Sequence, residues 1–464
     1  MPLSNQNYMD ALLAKLYATL APVNIADPNS ELPFVAFTRA GVPLSADDLN
    51  FGFLSADMAS ETRAYRFAAI ADAIPALTGL TWMPTGKLVP DVYERVLRDK
   101  QLPLVTLTPQ ERDLLQKATD YLHVEIKRAN PFTGEVRTEY ADTPYYTKYQ
   151  ELKAELALKE TEWRSSYYHA MISPADTEAK LNHKIRGPLL QAQADAIRQK
   201  IKANNGEYIE QAIGIIADLG GKGPSWYWDM LMTRYQKAER KTEDDQAFRF
   251  TDVFPSRFWG PEHADSWTKF SFSHSEAHVI DTSSRSSWGG GASVSFGLWS
   301  FGAAVSRESV RTEHTADTEN TSVSLEAVTI PLRRSWLDAG VFWSPSWRFH
   351  PDYAGDQVSD GAGNGLMPAY PTALLICRNL QLKTGNTHTH DSYAYDKVTS
   401  SGSVGWGPFS IRGNYTKETT SKTHDFVENA AGISCPGMQI FGVICQRVPK
   451  SPNPSPALNW PHNP

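Results

Sequence analysis

Two short clusters combine histidine with carboxylate, the donor set that holds zinc when the geometry closes around it. His274-Ser275-Glu276-Ala277-His278 puts His274, Glu276 and His278 on one face of an extended strand, because strand side chains alternate with period two. His388 and His390, with Asp391 beside them, form a looser group of the same kind. The polar face of any exposed strand offers the same residue types, so the expectation is a chain that carries no stoichiometric metal and no cofactor.

Covalent and phosphate chemistry find less support. Gly220-Gly221-Lys222-Gly223-Pro224-Ser225 lacks the GxxxxGK[ST] spacing of a phosphate loop and reads as a helix end followed by a helix start. No GxSxG and no HExxH occurs, and the spacing of Cys and His gives no nucleophile pair. Cys377, Cys435 and Cys445 are an odd number without a close-spaced motif, in apolar strand-like contexts that make buried thiols. The sequence therefore reads as non-enzymatic.

A third group is aromatic. Trp336, Trp343 and Trp347 of the aromatic segment Ser335–Tyr353 lie close in sequence to Arg333, Arg334 and Arg348. Stacking rings beside guanidinium groups could form a ligand platform, but such a stretch more often packs as a connector, which is the expectation here.

The elements that must position these groups divide the chain. Residues 1–140 read as mixed helix and loop, with Thr108-Pro109-Gln110-Glu111 as a capping box that starts a helix. Residues 141–245 read as a helical bundle. Tyr145–Ala170 and Pro174–Asn204 are predicted to form a long antiparallel pair, with a break near Gly187-Pro188 and with Leu181 and Ile185 on the buried stripe. Met9–Leu20 reads as a short amphipathic helix. Beyond the charged run 237–246, Ser, Thr, Gly and aromatics alternate, as in a mainly antiparallel β region covering 246–448. The Pro-rich residues 449–464 are expected to be extended, as a loose tail or an arm on a neighbour. The fold class is α+β.

The β region carries an internal duplication. Residues 291–314 align without a gap on 401–424, with six of 24 positions identical: Ser293/Ser403, Val294/Val404, Gly297/Gly407, Ser300/Ser410, Glu308/Glu418 and His314/His424. The same offset of 110 carries back through His278/His388 to Phe270-Ser271-Phe272 and Leu380-Gln381-Leu382, giving two related units, 266–331 and 376–441. Each unit reads as a β-hairpin whose turn is marked by Gly297 in one copy and by Gly407 and Pro408 in the other. The tips then carry Trp299 and Phe301, or Phe409 and Ile411.

The arms around those tips alternate Ser, Thr or Gly with apolar residues over the roughly 9–11 residues that a membrane-spanning strand needs. By analogy of architecture, two such hairpins per subunit suit a soluble protein that oligomerises and inserts them, in the manner of pore-forming toxins. An ordinary β-sandwich shows the same alternation, and exposed aromatic tips would equally suit a structural self-assembly subunit forming a ring, cage or filament. The expected partners are copies of the chain itself and a lipid bilayer. The net charge of −7 leaves no basic footprint for nucleic acid. With no apolar run of about 18 residues and no cationic, apolar leader, synthesis in the cytoplasm without a signal peptide is expected, followed by release or membrane association.

Overall fold

A computed structural model describes residues 5–21, 33–51, 59–76, 84–129, 136–172, 177–280, 298–301, 321–353, 355–383, 404–414, 423–424, 427–429 and 432–461. The fold is α+β, with a large antiparallel sheet at its centre. Its main path runs through β1 (Phe34–Leu44), β4 (Thr268–Ser273), β6 (Ser322–Arg333), β7 (Ala369–Lys383) and β11 (Met438–Arg447), in the order β1-β11-β7-β6-β4. The run Leu374-Leu375-Ile376-Cys377 at the middle of β7 is fully buried because both faces of the sheet are covered.

One face lies under helix α1 (Asn5–Leu20). Tyr8, Met9, Leu12, Leu13, Leu16 and Leu20 are all buried, and they pack with Phe270, Phe272, Val323, Leu375 and Leu382 of the sheet. From Tyr8 to Leu20 every residue of α1 except Ala18 is buried, Asp10 and Lys15 included. α1 is therefore a central helix, buried on all sides, where the sequence reads as a short amphipathic one. Together with β1, which pairs along β11 from Phe34 opposite Cys445 to Leu44 opposite Met438, it ties the start of the chain to the large sheet. The other face of the sheet packs on α2 (Ser60–Ala71), with Phe67 and Ala71 against Leu374, Ile376 and Val443.

The duplication has a counterpart in strand pairing. Phe270, Ser271 and Phe272 of β4 face Leu325, Ser324 and Val323 of β6. The strand β10 (Gly432–Cys435) pairs with the far end of β7 so that Leu380, Gln381 and Leu382 face Cys435, Ser434 and Ile433. All six residues of the first ladder map onto the second at the offset of 110. Gly432 has φ 116°, and a Cβ there would lie 2.3 Å from the Leu382 carbonyl oxygen, so only glycine fits at this point of the second ladder.

The helical part contains α3 (Val89–Asp99), α4 (Pro109–Leu122), α5 (Pro144–Ile172), α6 (Thr177–Ala203), α7 (Gly206–Leu219) and α8 (Ser225–Lys237), with the hairpin β2 (His123–Ala129) and β3 (Val136–Asp142) after α4. α4 starts at the capping box: Glu111 N–H donates to Thr108 Oγ1 at 3.2 Å, and Thr108 N–H donates to Glu111 Oε2 at 2.8 Å. α5 and α6 are antiparallel, since Arg198 reaches Glu160 while His183 reaches Ser166.

Two expectations fail within α6. The helix is continuous through Gly187 and Pro188, where a break was expected. Its buried stripe is Gly187, Leu190, Ala194 and Ile197, whereas Leu181, Ile185 and Leu189 are 57%, 66% and 58% exposed. Both sets have helical spacing, and the choice is made by α5, whose aromatics Trp163 and Tyr167 take the His183 ring edge-on. The Pro-rich end lies on its own chain: Leu104 N–H donates to Asn459 O at 2.7 Å and Ser455 N–H to Pro345 O at 2.9 Å.

Candidate functional site

The tip segments meet in a second, smaller sheet. Strands β5 (Trp299–Phe301), β8 (Val404–Trp406) and β9 (Phe409–Asn414) lie in that order, with β8 between the two related segments. Trp299 faces Trp406 from one side and Phe409 faces it from the other. Ser300 and Ser410, an identical pair in the duplication, both face Gly405. Gly407 and Pro408 form the two-residue turn between β8 and β9, with Gly407 at φ 53°, a conformation that glycine adopts without a steric penalty.

The expectation of exposed tips is overturned for the second copy. Phe409 and Ile411 are wholly buried, packed with Trp406, Phe441 and α1, and Trp299 is half-buried against the same cluster. Phe301 contributes backbone pairing with Val404. A large apolar ring at a hairpin end gains more from α1 than from water, at about 25 cal/mol per Å² of apolar area covered. Gly297 and most of the hairpin arms lie outside the described residues.

Specific polar contacts fasten the second tip. Gln439 of β11, wholly buried, accepts from Ser410 N–H at 2.5 Å and donates to Ser410 O at 3.0 Å, so its amide imitates a strand partner. Thr38 Oγ1 of β1 is 2.7 Å from Pro408 O and 3.0 Å from Phe441 O. The first unit is tied down where it leaves the sheet. Ser273 and Glu276 cap the single-turn helix α9 (His274–Ala277), and Lys15 of α1 donates to Glu276 Oε1 and to Ser271 O, each at 2.6 Å. Burial pushes the Lys15 pKa down, and the Glu276 carboxylate opposes that shift.

That helical turn also corrects the metal geometry. His274, Glu276 and His278 do not share a strand face; His274 and His278 approach through Nε2 at 3.2 Å, while Glu276 is taken by Lys15 and the Ser273 N–H. No group of three or more potential ligands occurs among the described residues, and His388 and His390 lie outside them. The three cysteines are free and buried, and burial raises each thiol pKa, for Cys435 to about 12. Such thiols are poor nucleophiles.

Trp336 and Trp347 are core residues, their indole N–H groups donating to Phe250 O and Val341 O. Arg333, Arg334 and Arg348 are engaged by Asp252, Asp72 and Gln101. Trp343 alone of these tryptophans is exposed. No helix among the described residues is long and apolar enough to cross a membrane. No family model, curated protein or solved structure matches the chain.

Proposed function

We propose that the chain is a non-enzymatic subunit that oligomerises and delivers its two hairpin segments into a lipid bilayer as strands of a shared barrel. The observation that carries this reading is a single row of the large sheet. Ser273, at the end of β4, faces Ser322 at the start of β6, and Ser322 faces Lys383 at the end of β7; one residue back, Leu382 faces Ile433 of β10. Two insertions of equal length, 274–321 and 384–431, thus leave the same end of neighbouring strands. Extended, they would prolong those strands as a four-stranded antiparallel ribbon in the existing register. A ribbon in hydrocarbon must have its edges paired, which closure among several copies achieves. The burial of Phe409 and Ile411 beneath α1 then represents a stored form, with the apolar ends kept from water before delivery.

The test is dye release from liposomes with parallel negative-stain imaging. Leakage together with ring-shaped particles on the vesicles is the expected result. A second reading, a structural subunit that never enters a membrane, draws on the uncovered stripe Leu181, Ile185 and Leu189 of α6. Ordered particles in the absence of lipid, with no leakage across a range of lipids and pH, would put that reading in place of the first.

A further inference from the structure

A cavity of about 980 Å³ lies away from the hairpins, between α5, α7, α8 and the segment 331–345. That is the size of a drug-like ligand site. Its apolar wall comes from Leu122, Ile213, Ile216 and Trp228, with Tyr146 on α5 and the exposed ring of Trp343 contributing aromatic surface.

The cationic side chains around it are paired by a hydrogen bond or an ion pair, with one exception. Lys222 is paired with Glu111 at 2.9 Å, Arg333 with Asp252 at 3.0 Å and Arg334 with Asp72 at 2.5 Å. On the acidic side, Asp142 is held by His123 at 3.0 Å, and Asp338 accepts from the Tyr227 hydroxyl at 2.6 Å and from Gly340 N–H at 2.9 Å. Asp218 is exposed. Arg234 of α8 is the exception. It is only 6% exposed and lines the cavity, and its guanidinium makes no hydrogen bond or ion pair to another described residue. Its Nε is buried without a partner. Asp142 feels the Arg234 charge, but its carboxylate is hydrogen-bonded to His123, so the buried Nε–H of Arg234 is left without an acceptor, and a buried donor without a partner is costly. The cavity therefore offers an anchored positive charge beside an apolar, aromatic wall.

We infer that this cavity binds a small organic anion, a carboxylate on an apolar body, with Arg234 receiving the carboxylate and Trp343 covering the apolar part at the mouth. A guanidinium presents two N–H groups in the plane that a carboxylate can accept, which favours a carboxylate over a neutral ligand of equal shape. The site shares no residue with the hairpin tips, so its occupancy and any membrane activity can be measured independently.

The experiment is calorimetric titration of the full chain with 1-naphthoate and, in parallel, with the neutral 1-naphthamide. The expected result is one site per chain, with the amide bound at least roughly tenfold more weakly. Arg234→Met should lose the preference for the acid, with its near-ultraviolet circular dichroism showing that tertiary structure is retained. Trp343→Ala, at an exposed position, should weaken acid and amide together. Equal affinity of the wild type for acid and amide would overturn the inference, as would no heat with naphthoate up to about 1 mM or full naphthoate affinity in a folded Arg234→Met. Should Arg234→Met fail to fold, the acid and amide comparison on the wild type and Trp343→Ala decides the matter.

Discussion

The Lys15 ammonium lies 2.6 Å from the Glu276 carboxylate, joining the middle of the buried α1 to the first turn of chain after β4. Lys15 is almost wholly buried while Glu276 retains some contact with solvent. The two partners are therefore not equivalent. Glu276→Gln leaves a buried cation facing an amide and the Ser271 carbonyl, and a loss of about 3 kcal/mol is expected. Lys15→Met removes the costly buried charge and leaves a carboxylate that still holds the Ser273 N–H, so the loss should be smaller. Chemical denaturation of the two variants checks the order.

The corrected face of α6 gives a second expectation. Leu190→Ala and Ile197→Ala should each cost about 2–5 kcal/mol, because both side chains are buried. Leu181→Ala and Ile185→Ala, at exposed positions, should stay within about 0.5 kcal/mol of the parent. Equal destabilisation by all four would mean that α6 packs differently from the arrangement described.

This contrast also shows how far the sequence could be read. Strand pairs that share one offset were legible, because a duplication preserves spacing and spacing sets register. The capping box at Thr108 and Glu111 was legible for a similar reason: its signal is local. The buried face of α6 was not. It carries two apolar sets at helical spacing, and only α5 distinguishes them. The role of α1 was hidden by Lys15 and Asp10, which give an apolar helix the look of an amphipathic one; Lys15 is matched by Glu276, 261 residues away. The aromatics of the second tip read as exposed because the helix that covers them lies about 400 residues earlier in the chain. Arg234 gave no signal at all, since an arginine in the last turn of a helix is ordinary until its surroundings are known.

His123 makes stability depend on pH. Burial lowers its pKa from the ordinary 6.5; the hydrogen bond with Asp142 opposes this, and the Arg234 charge adds to the lowering. A group whose folded pKa is depressed contributes stability that is present above its unfolded pKa and is lost as pH falls towards the folded value. The denaturation midpoint should therefore drop more steeply in the wild type than in His123→Gln as pH is taken downward from 6.5. Parallel curves for the two proteins would remove His123 from the account.

Gln439 links stability to the stored state of the second hairpin. Gln439→Leu leaves the Ser410 N–H and carbonyl buried without their partner, at about 1–3 kcal/mol for each group. Under the proposed function this variant should release its tip more readily and leak liposomes faster than the wild type at equal concentration. A variant that is destabilised yet leaks no faster would show that this tie does not control release.

The most direct measurement follows the hairpin segments themselves onto the membrane. Cysteine substituted at successive positions from Ser293 to Gly297, and again from Ser403 to Gly407, is labelled with an environment-sensitive fluorophore, the three buried native thiols being shielded in the folded protein. On liposomes the account predicts emission that alternates from residue to residue, bright where Val294, Phe296, Val404 and Trp406 stand and dim at their Ser and Gly neighbours, because barrel strands turn successive side chains to lipid and to water. Emission that stays the same at every position, with and without vesicles, would contradict it.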